Sequence, residues 1–170
     1  DAVALERLRT ALAGRPALLA ASTHEGEETV IAAAHRLLAA RIGSFMTIIA
    51  PRHPDRGAAI ADMLTAQGLK VAQRSKGELP DQSTDVYVAD TIGELGTLYV
   101  LAPVAFVGGS LIEHGGQNPI EAVRHGAAVL TGPHWVNFRD AYTALLKHKG
   151  GIEVRSAEDI AAAVTALAEI

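Results

Sequence analysis

The sequence has 170 residues, a formal net charge of −4 and no cysteine. That length suits one domain with its own hydrophobic core, and we expect residues 1–170 to form a single unit. Without cysteine, the chain forms neither disulfides nor thiolate zinc sites. Its basic residues are dispersed, whereas nucleic-acid-binding proteins usually carry a clustered basic face. Its longest apolar runs are strand-sized. We therefore expect this domain to contact neither nucleic acid nor membrane.

Helical and extended patterns alternate along the first part of the chain. Leu5, Leu8 and Leu12 recur at helical spacing before Gly14, which predicts an amphipathic first helix. Short apolar runs predict strands at residues 16–21, 45–50, 69–73 and 85–89. Helices are predicted at residues 30–40, 58–67 and 95–102, and residues 75–84 read as a polar loop. The chain opens Asp1-Ala2-Val3 without methionine, which favours an excised domain.

The second part of the chain begins with residues 104–133, VAFVGGSLIEHGGQNPIEAVRHGAAVLTGP. They predict a buried strand at 104–107, a glycine-rich turn that ends at Ser110, a second glycine pair, a short helix and another strand. A helix at 138–147, a short strand at 152–154 and a helix at 157–168 follow.

Continuous apolar strands that alternate with helices predict a doubly wound α/β fold with a parallel sheet. In such sheets, ligands bind beyond the carboxyl ends of the strands. The residues that directly follow each strand are therefore the candidates for function.

The segment after the second glycine pair is typical of an anion site. It comprises Gly115, Gly116, Gln117, Asn118, Pro119, Ile120 and Glu121. Asn118 suits the N-cap of a helix and Pro119 its first turn, which would leave the amides of residues 116–120 free for a phosphate. Glu121 is placed to accept hydrogen bonds from ribose hydroxyls. Alternatively, the glycines only shape a turn and Glu121 complements the helix dipole.

The segment STHEGEE follows the first predicted strand. Ser22 or Thr23 is expected to cap the next helix, and Gly26 to let backbone approach a ligand. Glu27 and Glu28 are interpreted as residues whose negative charge interacts favourably with the positive end of the next helix. This interpretation is weaker for Glu25. Neither the dinucleotide-binding GxGxxG pattern nor the P-loop pattern is present.

Two further loops carry candidate ligand contacts. After the second strand, Arg52, His53 and Arg56 suit phosphate or carboxylate, although a solvated loop is an alternative. After the fourth strand, the segment DTIGE offers further candidates, namely Thr91, Ile92 and Gly93 for a base edge and Glu94 for a sugar. The alternative for that segment is an Asp90-capped helix start.

Histidines do not predict a metal site. His24, His53, His114 and His134 fall on strand-exit loops, but no pair has the HExxH spacing of a helical zinc site. A further set falls on predicted helices, where we expect surface or partly packed positions: His35, His125 and His148. No serine lies in a GxSxG elbow, so a hydrolytic triad has no support.

Five segments in this order and spacing resemble the carboxyl-terminal domain of the 3-deoxy-D-manno-octulosonic acid (Kdo) transferases of lipopolysaccharide synthesis. They are STHEGEE, PRHPDR, DTIGELG, GGSLIEHGGQNPIEA and GPHWVNF. The resemblance spans most of the chain. It implies one Rossmann-like half of a GT-B glycosyltransferase, which holds the donor CMP-Kdo without a metal or other cofactor. The amino-terminal half, with the membrane anchor and the catalytic carboxylate, would bind a lipid A precursor.

The resemblance also implies roles for particular residues. Residues 115–118 would meet the CMP phosphate, Glu121 the ribose, and Arg52 with His53 the donor side of the cleft, with Ser110 nearby. Many members have histidine where this chain has Gln117, which donates a hydrogen bond but carries no charge. Arg52 would stabilise the departing CMP electrostatically.

On this reading the full-length enzyme would lie at the cytoplasmic face of the bacterial inner membrane, and this domain alone would be inactive. One alternative is the donor half of a UDP-sugar transferase or 2-epimerase. Another is a non-catalytic nucleotide-binding domain.

Overall fold

The structure, a computed structural model, describes residues 2–12 and 14–168. Strands and helices alternate throughout this part of the chain. The strands are β1 (Ala17–Thr23), β2 (Met46–Pro51), β3 (Val71–Gln73), β4 (Val86–Val88), β5 (Val104–Val107), β6 (Ala128–Thr131) and β7 (Gly151–Glu153). The helices are α1 (Ala2–Leu12), α2 (Glu27–Arg41), α3 (Gly57–Ala66), α4 (Leu95–Leu101), α5 (Ile120–Arg124), α6 (Arg139–Lys147) and α7 (Ala157–Ala168).

All strands that the structure describes pair in parallel, in the order β3-β4-β2-β1-β5-β6-β7. The predicted doubly wound α/β sheet is therefore confirmed. The chain leaves β1 towards β2 on one side and returns to β5 on the other, so the order reverses between β1 and β5. Strands β3 and β4 are shorter than predicted. Helix α6 begins one residue later, after a 3₁₀ turn over Val136–Phe138.

Two hydrophobic cores cover the two faces of the sheet. Leu18 and Ala20 of β1 pack with α2, α3 and α7, whereas Leu19 and Ala21 pack with α1, α4, α5 and α6. Since successive strand residues face opposite sides, a strand buried on both faces must be apolar at every position. This explains the continuous apolar runs in the sequence.

His35 lies in the first of these cores, which corrects the prediction of a surface or partly packed histidine. Its side chain is 1% exposed, and Nδ1 lies 2.8 Å from Thr47 Oγ1. Burial lowers the pKa of His35, and Arg15 and Arg36 lower it further, while Asp85, 3.8 Å from Nε2, opposes the shift. The imidazole is therefore neutral in the folded protein at neutral pH.

We expect stability to fall below about pH 6.5, the ordinary pKa of histidine. There the unfolded chain binds a proton at His35 that the folded chain does not bind, so the free energy of unfolding decreases as the pH falls. Urea unfolding at pH 7.5 and pH 5.5 should show a smaller decrease for His35→Gln than for the wild type. The matched control is His148→Gln, at the exposed carboxyl end of α6. Equal decreases in the wild type and His35→Gln would contradict the prediction.

Two features are absent from the described residues. None of the helices in that part of the chain is long and apolar enough to cross a membrane. Over the same residues, no three histidine, aspartate or glutamate side chains are grouped to hold a metal ion. That the domain holds its ligand without a metal stays a prediction.

Candidate functional site

The carboxyl ends of β1 and β5 lie side by side where the strand order reverses. Gly108 directly follows β5, and its N–H donates to the carbonyl of Ala21 at 2.7 Å. A β-carbon at Gly108 would lie 2.5 Å from the carbonyl oxygen of Ser22 and 2.7 Å from Cα of Thr23. Only glycine fits there without moving one backbone away from the other. In doubly wound sheets, this reversal opens the crevice in which ligands bind.

Glu27 holds the loop that follows β5. Its side chain is fully buried. Oε1 accepts the N–H of His24 at 2.9 Å and that of Gly109 at 2.7 Å. Oε2 accepts the N–H of Ser110 at 3.1 Å and that of Leu111 at 3.0 Å. The sequence predicted only a helix-dipole interaction, because three of these donors lie 82 to 84 residues away along the chain.

Ser22 and Thr23 do not cap α2, so that prediction is wrong. Strand β1 continues through them, with Thr23 paired to Pro51. Thr23 is fully buried, and its Oγ1 has no hydrogen-bond partner within the described part of the chain. Helix α2 instead follows Gly26, whose φ of 97° favours glycine, and it has no side-chain cap. Glu25 and Gly26 remain exposed at the helix start.

The second glycine pair packs against the loop that follows β6. A β-carbon at Gly115 would lie 2.6 Å from Cγ of Asn137, and one at Gly116 would lie 2.9 Å from Cα of Trp135. The N–H of Asn137 donates to the carbonyl of Gly115 at 3.0 Å. The glycine pair therefore lets two strand-exit loops meet without side chains between them.

Fewer amides of this segment are free than the sequence indicated. The N–H of Gly116 donates to the carbonyl of Gly109 at 2.8 Å, and that of Ile120 to Oδ1 of Asn118 at 3.0 Å. Among the described residues, the amides of Gln117 and Asn118 have no acceptor, so two amides remain for a ligand. Asn118 also lies one residue before the N-cap position predicted for it, since α5 starts at Ile120.

Three imidazoles form a row across the site. The ring of His24 lies 4.0 Å from that of His114 and 5.7 Å from that of His53, measured between centroids. The side-chain nitrogen of Gln117 lies 2.9 Å from Nε2 of His24. Burial lowers the pKa of His24, and the neighbouring His114 lowers it further, which favours a neutral ring that accepts this bond.

The two arginines of the loop after β2 differ in their contacts. Arg56 forms a bidentate ion pair with Glu28, at 2.8 and 3.1 Å, and this contact raises its pKa. Glu28 is 2% exposed, so the pair anchors the loop to α2. Arg52 is exposed and has no ion-pair partner in residues 2–12 and 14–168. Of the two arginines predicted to contact a phosphate, Arg56 is therefore held in an ion pair, and Arg52 is available to a ligand.

The loop after β4 is also anchored by a bidentate pair. Arg74 donates to both carboxylate oxygens of Glu94, at 2.7 and 2.6 Å, and Thr91 donates to the same carboxylate. The bond from Arg74 lowers the pKa of Glu94. Glu94 is thus an ion-pair partner in the structure, and its contact with a sugar stays a prediction. Ile92, at the tip of the loop, is 88% exposed.

Asp90 caps no helix, contrary to one of the sequence interpretations. Its buried carboxylate accepts bonds from the side chains of Gln73 and Ser75 at 2.7 Å each, and from the N–H of Ser75 at 2.8 Å. Burial alone would raise the pKa of Asp90, but these bonds outweigh it and the pKa lies below its usual value. Asp90 therefore supports the loop from within the fold.

Ser110 and Glu121 occupy opposite environments. The hydroxyl of Ser110 is fully buried, donates to the carbonyl of Val107 at 2.7 Å and accepts the N–H of Gly132 at 2.9 Å. It lies inside the fold and not on a ligand surface. Glu121 lies in the first turn of α5, as predicted, and is exposed, with its carboxylate beside Gly96 of α4.

Two cavities open at this edge of the sheet. The larger cavity, of 440 Å³, is lined by Ser22, residues 50–55, Ala89, residues 91–93, Leu95 and Leu98. The smaller cavity, of 400 Å³, is lined by residues 113–115, residues 133–137 and Arg139. The row of imidazoles lies between them, since His53 lines the larger cavity and His114 the smaller. Predicted site residues from the loops after β1, β2, β4 and β5 therefore come together.

Known proteins resemble this chain over most of its length. It is 41% identical over 145 residues to 3-deoxy-D-manno-octulosonic acid transferase of Haemophilus influenzae, which is 85% of this chain and 34% of that protein. It is 43% identical over 132 residues to the transferase of the same name from Bordetella pertussis, which is 75% of this chain and 31% of that protein. No protein-family model matches the chain.

A solved structure covers nearly all of the chain. It is the C-terminal CMP-Kdo binding domain of WaaA from Acinetobacter baumannii, with a TM-score of 0.91 and 31% identity over 98% of this chain and 89% of that one. The chain belongs to the Kdo transferase family. It corresponds to the carboxyl-terminal domain, so the predicted Rossmann-like half of a GT-B fold is confirmed. The chain spans about a third of the length of the transferases it matches.

Proposed function

We propose that this chain is the donor-binding domain of a Kdo transferase, and that it binds CMP-Kdo at the carboxyl edge of the sheet. With an amino-terminal acceptor domain, it would transfer Kdo to a lipid A precursor at the cytoplasmic face of the inner membrane. The observation that carries the proposal is the larger cavity, which lies over the carboxyl ends of β1, β2 and β4. Its lining includes Ser22, Arg52 and Thr91, from three of the segments shared with the family. The side chains of Ser22 and Arg52 have no hydrogen-bond or ion-pair partner among the described residues.

The chemistry of the leaving group fits these residues. As the bond to CMP breaks, the phosphate gains negative charge and the sugar becomes oxocarbenium-like. Groups aimed at that phosphate stabilise the transition state more than the bound substrate. Arg52 and the free amides of Gln117 and Asn118 are assigned this role. The base for the acceptor hydroxyl is assigned to the acceptor domain, so this chain alone is expected to bind the donor without transferring the sugar.

Calorimetric titration of this chain with CMP and with UDP tests the proposal. We expect CMP to bind at least tenfold more tightly than UDP. Arg52→Gln should weaken CMP binding about tenfold, because a charge-assisted hydrogen bond is lost, and each tenfold corresponds to about 1.4 kcal/mol. The matched control is Arg41→Gln, an exposed arginine at the end of α2.

A preference for UDP would indicate the donor half of a UDP-sugar enzyme instead. Binding of neither nucleotide would refute the donor-binding proposal. If CMP binds but addition of an acceptor domain in trans yields no transfer, the chain is a nucleotide-binding domain without the proposed activity.

A further inference from the structure

The smaller cavity has no part in the nucleotide contacts proposed above. It lies between the loops after β5 and β6, with residues 113–115 on one side and residues 133–137 with Arg139 on the other. Its 400 Å³ falls within the range of small-ligand sites, about 300–1,000 Å³. Since the larger cavity already offers room for a nucleoside, this second space can take another part of the same ligand.

Backbone contacts fix the wall contributed by the loop after β6. The N–H of His134 donates to the carbonyl of Ser110 at 2.9 Å, and Nδ2 of Asn137 donates to the carbonyl of His114 at 3.3 Å. Trp135 donates from Nε1 to Glu153 at 3.3 Å, and its ring lies 5.9 Å from that of Tyr142. A wall held in this way is preformed, so a ligand need not order it on binding.

The ionisable groups that line this cavity include one guanidinium. They are Glu113, His114, His134 and Arg139. In the described part of the chain, the side chains of Arg139 and His134 have no hydrogen-bond or ion-pair partner. A guanidinium is always charged and presents a planar fork that matches a carboxylate. Arg139 is thus free to pair with a carboxylate of a ligand in this cavity.

The row of imidazoles connects this cavity to the nucleotide side. His114 lines the smaller cavity, and its ring lies 4.0 Å from that of His24. The ring of His53 also lies near that of His24, at 5.7 Å between centroids, and His53 lines the larger cavity. The free amide of Gln117 lies in the same region, since its side chain contacts His24. The three imidazoles therefore link the linings of the two cavities.

We propose that the smaller cavity takes the acidic sugar of the donor, and that Arg139, assisted by His134, binds the sugar carboxylate. This rests on the proposed function, in which CMP occupies the larger cavity. The transferred sugar is an octulosonic acid, so its carboxylate distinguishes it from the neutral sugars of most nucleotide donors. Arg139 is then a specificity-determining residue, and it acts on the sugar and not on the nucleotide.

Titrations of CMP and freshly prepared CMP-Kdo into the wild type and Arg139→Gln test this assignment. We expect Arg139→Gln to bind CMP with a Kd within twofold of the wild type and CMP-Kdo at least tenfold more weakly. His134→Gln should show a smaller loss of the same kind. Lys147→Gln, which removes one positive charge from the exposed end of the same helix, is the control and should bind both ligands as the wild type does.

The carboxyl methyl ester of CMP-Kdo completes the test as a double-mutant cycle. The wild type should bind the ester about tenfold more weakly than the acid, and Arg139→Gln should bind both equally. Equal weakening of CMP and CMP-Kdo by Arg139→Gln, or unchanged CMP-Kdo binding, would overturn the assignment and leave the nucleotide site intact. A wild type that does not bind CMP would overturn the proposed function, and the sugar assignment with it.

Discussion

Gly108→Ala is expected to lower the free energy of unfolding by about 3 kcal/mol or more, at the upper end of ordinary overpacking costs. The added β-carbon would lie 2.5 Å from the carbonyl oxygen of Ser22 and 2.7 Å from Cα of Thr23. Both are backbone atoms of the central strand, so no side-chain rotation relieves the clash. Strand β5 would have to move away from β1 at the point where the ligand crevice opens.

Urea unfolding followed by circular dichroism measures this loss, with Gly43→Ala as the matched control. A β-carbon at Gly43 has no neighbour within 4 Å, and that variant should stay within about 1 kcal/mol of the wild type. We also expect Gly108→Ala to lose CMP binding under conditions in which it is still folded. A Gly108→Ala protein as stable as Gly43→Ala would show that the two strand ends have room to separate.

Glu27→Gln is expected to cost about 2–5 kcal/mol, although it keeps the size and shape of the side chain. The carboxylate accepts four backbone N–H groups, two at each oxygen. An amide replaces one acceptor oxygen by an NH₂ group that faces two backbone donors, one buried and one partly buried. Buried donors without partners cost about 1–3 kcal/mol each.

The same unfolding assay tests Glu27→Gln against Glu25→Gln, an exposed glutamate two residues earlier in the segment. Glu25→Gln should stay within about 0.5 kcal/mol of the wild type, as surface substitutions usually do. A cost for Glu27→Gln no larger than that of Glu25→Gln would mean that the loop after β5 is held by other contacts. Loss of CMP binding in a folded Glu27→Gln variant would show that this loop shapes the ligand site.

The layout of the sheet could be predicted because its signals are local. Apolar runs, most of them bounded by glycine or proline, marked the strands, and alternation with helices implied parallel pairing. The same rule placed the segments around Arg52, Thr91 and Gly115 at one edge, where the structure has them. Errors at strand ends, as at Thr23, arose because pairing with a neighbouring strand extends β1 beyond its apolar run.

The contacts that hold the loops of the site in place could not be predicted from local patterns. Glu27, Arg56 and Glu94 each depend on a partner from a distant segment, and nothing in the local pattern shows which charges will pair. Similarly, the count of free amides after Gly115 depended on acceptors such as the carbonyl of Gly109. Local chemistry identified which loops matter, whereas tertiary contacts decide which of their groups remain available.

The ion pair between Arg56 and Glu28 has a consequence for charge matching. It neutralises one of the two guanidinium groups after β2, so that loop presents a single uncompensated fixed cation, Arg52. A sugar joined to CMP carries one ionised phosphodiester, whereas a sugar joined to UDP carries two ionised phosphates. A loop with one unit of positive charge balances the former and leaves the latter with an excess negative charge to desolvate.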